Sequence, residues 1–231
     1  MEAEPDNVNA MLALSYDLKN VGYFNEASAL ADRAIELEPL AAYAYLRKGE
    51  ASSAAGRLEE AQTAWLKAGE FGNETAYQAL ATAQLIAGND DLAADYFETF
   101  AQLAGIAPEV FESLIEKARN PESGKAFLDK MVNDVLANAS NLGEKVDAYV
   151  WYLHYGYLDD YFEAMHKFRG EDNSWTNADA LEHLGMTFRA SGYTAHPAYM
   201  EWVESDGGLD LWDQRGAPDH CQKEDGDWVC E

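Results

Sequence analysis

The chain has 231 residues, 48% of them hydrophobic and 12% aromatic, which is enough apolar material to bury a core and excludes wholesale disorder. Its formal charge is -26, from 42 acidic against 16 basic residues, with no cluster of Lys and Arg. Direct nucleic-acid binding is therefore excluded, an anionic membrane surface is disfavoured, and a basic peptide is the electrostatically easier partner. The plainest reading of the acidity is still solubility.

Residues 1–7 are acidic, read as a disordered start, and lack the basic and apolar regions of a signal peptide. No run of ~18 or more apolar residues follows, so no membrane segment is expected. From residue 8 the chain repeats itself. Gly22-Tyr23-Phe24-Asn25-Glu26-Ala27 recurs 34 residues later as Gly56-Arg57-Leu58-Glu59-Glu60-Ala61, and 32 residues after that as Gly88-Asn89-Asp90-Asp91-Leu92-Ala93. Ala34 and Ala68 follow the first two alanines at equal distance. This period predicts three antiparallel helix pairs over 8–106. Glycine ends each first helix, where a left-handed residue is needed. Alanine lets the second helix approach closely, and large residues such as Leu18, Phe24, Tyr45, Trp65, Leu80 and Phe97 fill the remaining space. Pro39 stops the second helix of the first pair.

Beyond residue 107 the period blurs, and 107–194 reads as further helices. Pro108 and Pro121 each stand where a helix starts, the second after Asn120 as its cap. Phe127, Met131, Val135 and Leu136 share one helix face. Asp147 to Phe168 reads as a degenerate fourth pair turning at Gly156, with Tyr149 and Tyr152 before the turn and Leu158, Tyr161 and Met165 after it. A polar break at Gly170–Asn173 precedes a helix expected from about Trp175 to Ala190, ended near Gly192. The last segment, 195–231, holds the two cysteines, Cys221 and Cys230, with eight residues between them. That spacing makes a disulfide loop easy and hints at an oxidising compartment; a reduced pair in the cytoplasm is the alternative. Trp202, Leu211, Trp212 and Trp228 read as a cap over the apolar end of the last repeat.

Gly49, Gly56, Ala61, Ala68 and Pro39 stand where the small and breaking residues of the tetratricopeptide repeat belong, and residues 8–106 resemble that family. Ser15 and Ala81 depart from its first-helix glycine, Phe100 from its last alanine and Asn73 from its proline. The resemblance implies an all-α fold: a right-handed superhelical solenoid of antiparallel helix pairs with an irregular C-terminal cap. It also implies a concave groove lined by the first helix of each pair. The groove positions fall on Asn9, Leu12, Tyr16 and Lys19, then Tyr43, Leu46, Glu50 and Ser53, then Thr75, Gln78, Thr82 and Leu85. Tyrosine offers contact area with a polar handle, and Asn and Gln pair with the backbone of an extended peptide. Acidic chaperone tails are disfavoured, because Leu12, Tyr16, Thr75 and Ala79 occupy clamp positions of that subclass and Arg47 alone survives.

Trp212, Gly216, Pro218, Cys221 and Cys230 give 195–231 a second resemblance, to the end of bacterial signalling proteins that join a winged-helix or cyclase-like effector to a tetratricopeptide region. It implies that the chain is the sensor or interaction part of such a regulator, as a fragment or as a stand-alone relative. It also implies that the repeats are periplasmic, with the cytoplasm as the alternative.

No phosphate loop, nucleophile elbow or paired metal-ligand histidines occur. His154, Asp159, Asp160 and Glu163 gather near Gly156 and read as charges at a helix start rather than as a catalytic group. His220, Cys221 and Cys230 lack a fourth ligand for zinc, and Glu224, Asp225 and Asp227 lack the alternation of a calcium loop. Neither metal nor cofactor is therefore expected. The expected function is a scaffold that binds a protein or peptide partner, with a homodimer left open. The alternative is a periplasmic or envelope assembly factor using the same groove constitutively, and an enzyme is the least favoured reading.

Overall fold

The structure, a computed structural model, describes residues 6–138, 149–171, 192–205 and 207–230. Its plan follows from one kind of turn. Gly22, Gly56 and Gly88 hold φ of +95°, +75° and +76°, a region open to glycine and strained for other residues. After each, the next N–H returns to a carbonyl five residues back: Tyr23 to Leu18 at 2.9 Å, Arg57 to Ser52 at 2.8 Å and Asn89 to Gln84 at 2.9 Å. This bond satisfies a carbonyl that the helix end leaves over. Asn73, Ile106 and Tyr157 make it as well.

The turns separate α1 (Val8–Asn20), α2 (Phe24–Leu37), α3 (Ala42–Ala54), α4 (Leu58–Glu70), α5 (Thr75–Ile86), α6 (Asp90–Ala104) and α7 (Glu109–Ala118). Consecutive helices up to α8 (Gly124–Asn138) pack on one another as stacked antiparallel pairs. The contact surfaces are made of small residues. Ala27, Ala31, Ala34, Ala61, Ala68, Ala93 and Ala101 are fully buried. In the third pair Ala101 takes the buried place that strict spacing assigns to Phe100, so the helix is read one residue later. Gly49 faces the buried Trp65 so closely that a Cβ there would lie 2.3 Å from the indole ring.

Asn120 does cap, though not directly at α8. Its side-chain oxygen accepts from the Glu122 and Ser123 N–H groups at 3.0 and 2.9 Å, forming an intervening turn, and α8 begins at Gly124. Helical residues 149–154 then turn at Gly156 into α9 (Leu158–Glu171). The helix expected over 175–190 lies outside the described residues. The chain closes with α10 (Pro197–Ser205), α11 (Gly208–Arg215) and an antiparallel hairpin of β1 (Cys221–Glu224) and β2 (Asp227–Cys230). Cys221 faces Cys230 across the hairpin and the two form a disulfide.

This ending docks on the first turn of the chain. A glycine at 22 leaves a notch, and a Cβ there would meet His220 at 2.6 Å and Pro218 at 2.7 Å. The Asp219 N–H donates to the Gly22 carbonyl at 2.9 Å, and Trp212 Nε1 donates to Val21 at 3.1 Å. The Tyr23 hydroxyl donates to Gly216 at 2.8 Å. No side chain of α2's own N-cap residue closes that helix. Instead Asp219 accepts from the Asn25 N–H at 2.7 Å and from the Asn25 side-chain amide at 2.9 Å, so a residue from the far end of the chain caps α2. Trp212 is buried against Trp228, with ring centroids 5.4 Å apart. The side chain of Trp202 lies outside the described residues.

Candidate functional site

The three stripes expected to line a groove occupy α1, α3 and α5 at spacings of three and four residues, which puts each stripe on one helix face. Asn9, Tyr43 and Thr75, at the amino ends of the helices, are exposed, and Tyr16 and Gln78 are half-buried. Leu12, Leu46 and Thr82 are buried, as are Ser53 and Leu85. Lys19 and Glu50 retain only 3% and 9% exposure. Each stripe is thus open at its amino end and closed at its carboxyl end. Tyr149, Val150 and Leu153 share an apolar cluster with Leu18, Ala51 and Ala54. Trp151 and Tyr155 also pack on the cluster that contains Leu85 and Phe97, with Phe97 and Trp151 centroids 6.2 Å apart.

Between the open and closed ends lies Arg47, which follows Tyr43 by one helical turn. Its guanidinium lies 4.3 Å from the Tyr16 ring centroid and 4.5 Å from that of Tyr43. Nη1 donates to Glu50 at 2.6 Å, and Nη2 donates to the Tyr43 hydroxyl. Burial works against the charge of Arg47, but the carboxylate and hydrogen bond of Glu50, with the two tyrosines, raise its pKa above the ordinary arginine value. Lys19 lies 4.9 Å from the Tyr16 ring and 4.0 Å from Glu50. Two cations and one carboxylate thus meet in a chain whose overall charge is -26. Tyr43, 46% exposed, presents the outer surface of this stack. Such a platform can stack a planar or apolar side chain and hydrogen-bond a backbone carbonyl. Tyr16 and Tyr43 were expected at groove positions, whereas Arg47, which joins them here, was not among them. The available signal was its position four residues after Tyr43.

Other charged groups hold elements together. Lys48 Nζ reaches Ser28 at 2.9 Å, Asp32 at 2.7 Å and Glu60 at 2.6 Å, tying α3 to α2 and α4. The Lys48 hydrogen bond is the main cause that holds Glu60 below the usual carboxylate range. Lys125 bridges Asp129 at 2.6 Å and Asp160 at 2.8 Å, and the Tyr152 hydroxyl donates to Asp129 at 2.7 Å. The acidic group near Gly156 is accordingly divided among separate partners. Asp160 pairs with Lys125, Asp159 lies 3.1 Å from His196, and His154 meets the edge of Trp151 at 5.3 Å. Glu163 is exposed. A further open cleft of about 710 Å³ is lined by Lys117, Phe127, Met131 and Val135 among others, apart from the Tyr16–Tyr43 platform.

No protein-family model, curated protein or solved structure matches the chain. Among the described residues no helix is long and apolar enough to cross a membrane.

Proposed function

We propose that the chain is a tetratricopeptide-like scaffold that binds a protein or peptide segment across the open amino-terminal ends of α1, α3 and α5. The observation that carries this reading is the Tyr16–Arg47–Tyr43 stack. It is pre-ordered by Glu50, and it presents an exposed tyrosine where the first-helix stripes are open. A preformed aromatic surface gains contact area without ordering new side chains, so less of the binding free energy is lost to entropy. Asn9 on α1 and Gln78 on α5 offer adaptable hydrogen-bonding groups on the neighbouring stripes.

The chain is further proposed to be the sensor or interaction region of a bacterial signalling regulator, by the likeness of Trp212, Gly216, Pro218, Cys221 and Cys230 to the ends of such proteins. A disulfide between Cys221 and Cys230 is compatible with an oxidising compartment and supports a periplasmic setting.

The test is affinity capture from extract of the source organism. The native chain is compared with a Tyr16→Ala, Tyr43→Ala, Gln78→Ala variant of equal helicity, and a photo-crosslinker is placed at position 43. A binder that is lost with the variant and crosslinks at position 43 supports the reading. If both proteins capture the same partners and none crosslinks there, the site moves to the cleft between α7 and α8.

A further inference from the structure

The hairpin brings together more than a disulfide. A ring nitrogen of His220 and the sulfurs of Cys221 and Cys230 all lie within 4.8 Å of one another. The fourth donor, absent from this stretch of sequence, comes from α10: Met200 Sδ is 3.5 Å from Cys230 Sγ. We infer that, with its disulfide reduced, the hairpin binds one Cu(I) ion through Cys221, Cys230, His220 and Met200.

The donor set selects the metal. Thiolate and thioether sulfur are soft ligands that favour Cu(I), and imidazole suits copper as well. Zinc sites are built from thiolate, imidazole and carboxylate, and a thioether is foreign to them. Four donors around a metal at about 2.3 Å stand roughly 3.7 Å from one another in a tetrahedron; the 3.5 Å between Met200 Sδ and Cys230 Sγ is on that scale, and reduction of the disulfide frees the two cysteine sulfurs to separate to it. The surroundings suit a soft monovalent ion. His220 and Cys221 are buried, with the Phe24 ring 5.2 Å and the Trp212 ring 5.9 Å from the imidazole. The Tyr199 hydroxyl holds the imidazole at Nε2, 2.7 Å away. An apolar shell of this kind limits water access, and a hydrogen bond to the ring sets its orientation.

The chemistry balances with a dithiol as reductant. The Cys221–Cys230 disulfide takes up two electrons and two protons to give two thiols, while the dithiol becomes a disulfide. Cu(I) then displaces the two thiol protons to solvent and binds without changing its oxidation state. The hairpin is closed by a covalent bond in one state and by a metal in the other, so it can stay docked at Gly22 in both. This inference does not depend on the peptide-binding reading.

The experiment uses the full chain, reduced with dithiothreitol, desalted under argon and titrated with Cu(I) against the chelator bicinchoninate. Native mass spectrometry should count one copper per chain, with near- and far-ultraviolet circular dichroism retained. The oxidised chain and a Cys221→Ser, Cys230→Ser variant should not compete with the chelator. Met200→Leu conserves volume and leaves the fold intact; it should weaken copper binding at least about tenfold, the scale of a disturbed metal shell. The inference is overturned if the reduced chain takes no Cu(I), or if Met200→Leu binds as tightly as the native chain. Displacement of the copper by Zn(II) would also overturn it, as would loss of aromatic circular dichroism on reduction that Cu(I) does not restore.

Discussion

The two halves of the molecule are packed by different means. From α1 to α6 the helices approach through alanine and glycine, and large side chains such as Trp65 fit into places where a neighbour has none. From residue 149 onward the contacts are ring on ring: Phe162 stacks on Tyr193 at 4.8 Å and on His196 at 4.4 Å, Tyr193 meets Tyr199 at 5.3 Å, and Trp212 meets Trp228 at 5.4 Å. Small-residue packing requires a fixed spacing and so leaves a period in the sequence. Ring packing is met by many arrangements and leaves none. The aromatic half also does what a plain stack of repeats does not: it returns to the Gly22 turn and caps α2 with Asp219.

The comparison is broken most forcefully at its largest buried rings. Trp65→Ala removes a fully buried indole and should destabilise the chain by about 3–5 kcal/mol, read as a fall in the urea midpoint with the slope unchanged. Trp212→Ala should instead free the ending, so that near-ultraviolet circular dichroism collapses while most of the helical signal survives.

Alkali should attack the aromatic half first. Burial pushes the hydroxyls of Tyr161, Tyr193 and Tyr199 well above the ordinary tyrosine value. The folded state therefore favours their neutral forms. That contribution is complete below the unfolded value of about 10 and is lost as pH rises past it. Phenolate absorbance of these three should appear only together with unfolding; a smooth titration in a folded chain would contradict their burial.

Replacing both cysteines by serine opens a short loop and should lower stability by roughly 2–3 kcal/mol, measured by thermal melting without reductant, with the loss of amide protection confined to 207–230. The smallest expected effect is that of Asp219→Ala. Losing a helix cap should cost about 1 kcal/mol, and Asp219→Asn, which still accepts a hydrogen bond, should recover most of it.

Part of this was legible beforehand. Gly22, Gly56 and Gly88 announced turns because only glycine takes that φ at little strain, and the alanines five residues after them are buried as close helix contact requires. The cysteine pair announced its loop by spacing. What was not legible lies between residues far apart in the chain. The cap was expected on the last repeat, and nothing local to Pro218 or His220 says that a glycine nearly two hundred residues earlier provides their notch. The stripes on α1, α3 and α5 could be written from their spacing, but the burial of Lys19, Glu50 and Ser53 within them depends on packing that the spacing does not carry. Met200 is an ordinary apolar residue until the fold sets it beside Cys230.

The central claim is that the chain closes on its own first turn, and paired glycine substitutions test it most directly. Gly22→Ala and Gly88→Ala impose the same kind of strain, since both residues have positive φ, at about 1–2 kcal/mol each. Only at Gly22 does the added methyl meet another part of the chain, while at Gly88 it meets nothing within 4 Å. Hydrogen exchange read by mass spectrometry should show 207–230 deprotected in Gly22→Ala and unchanged in Gly88→Ala. Equal protection of that segment in both variants would contradict the closure.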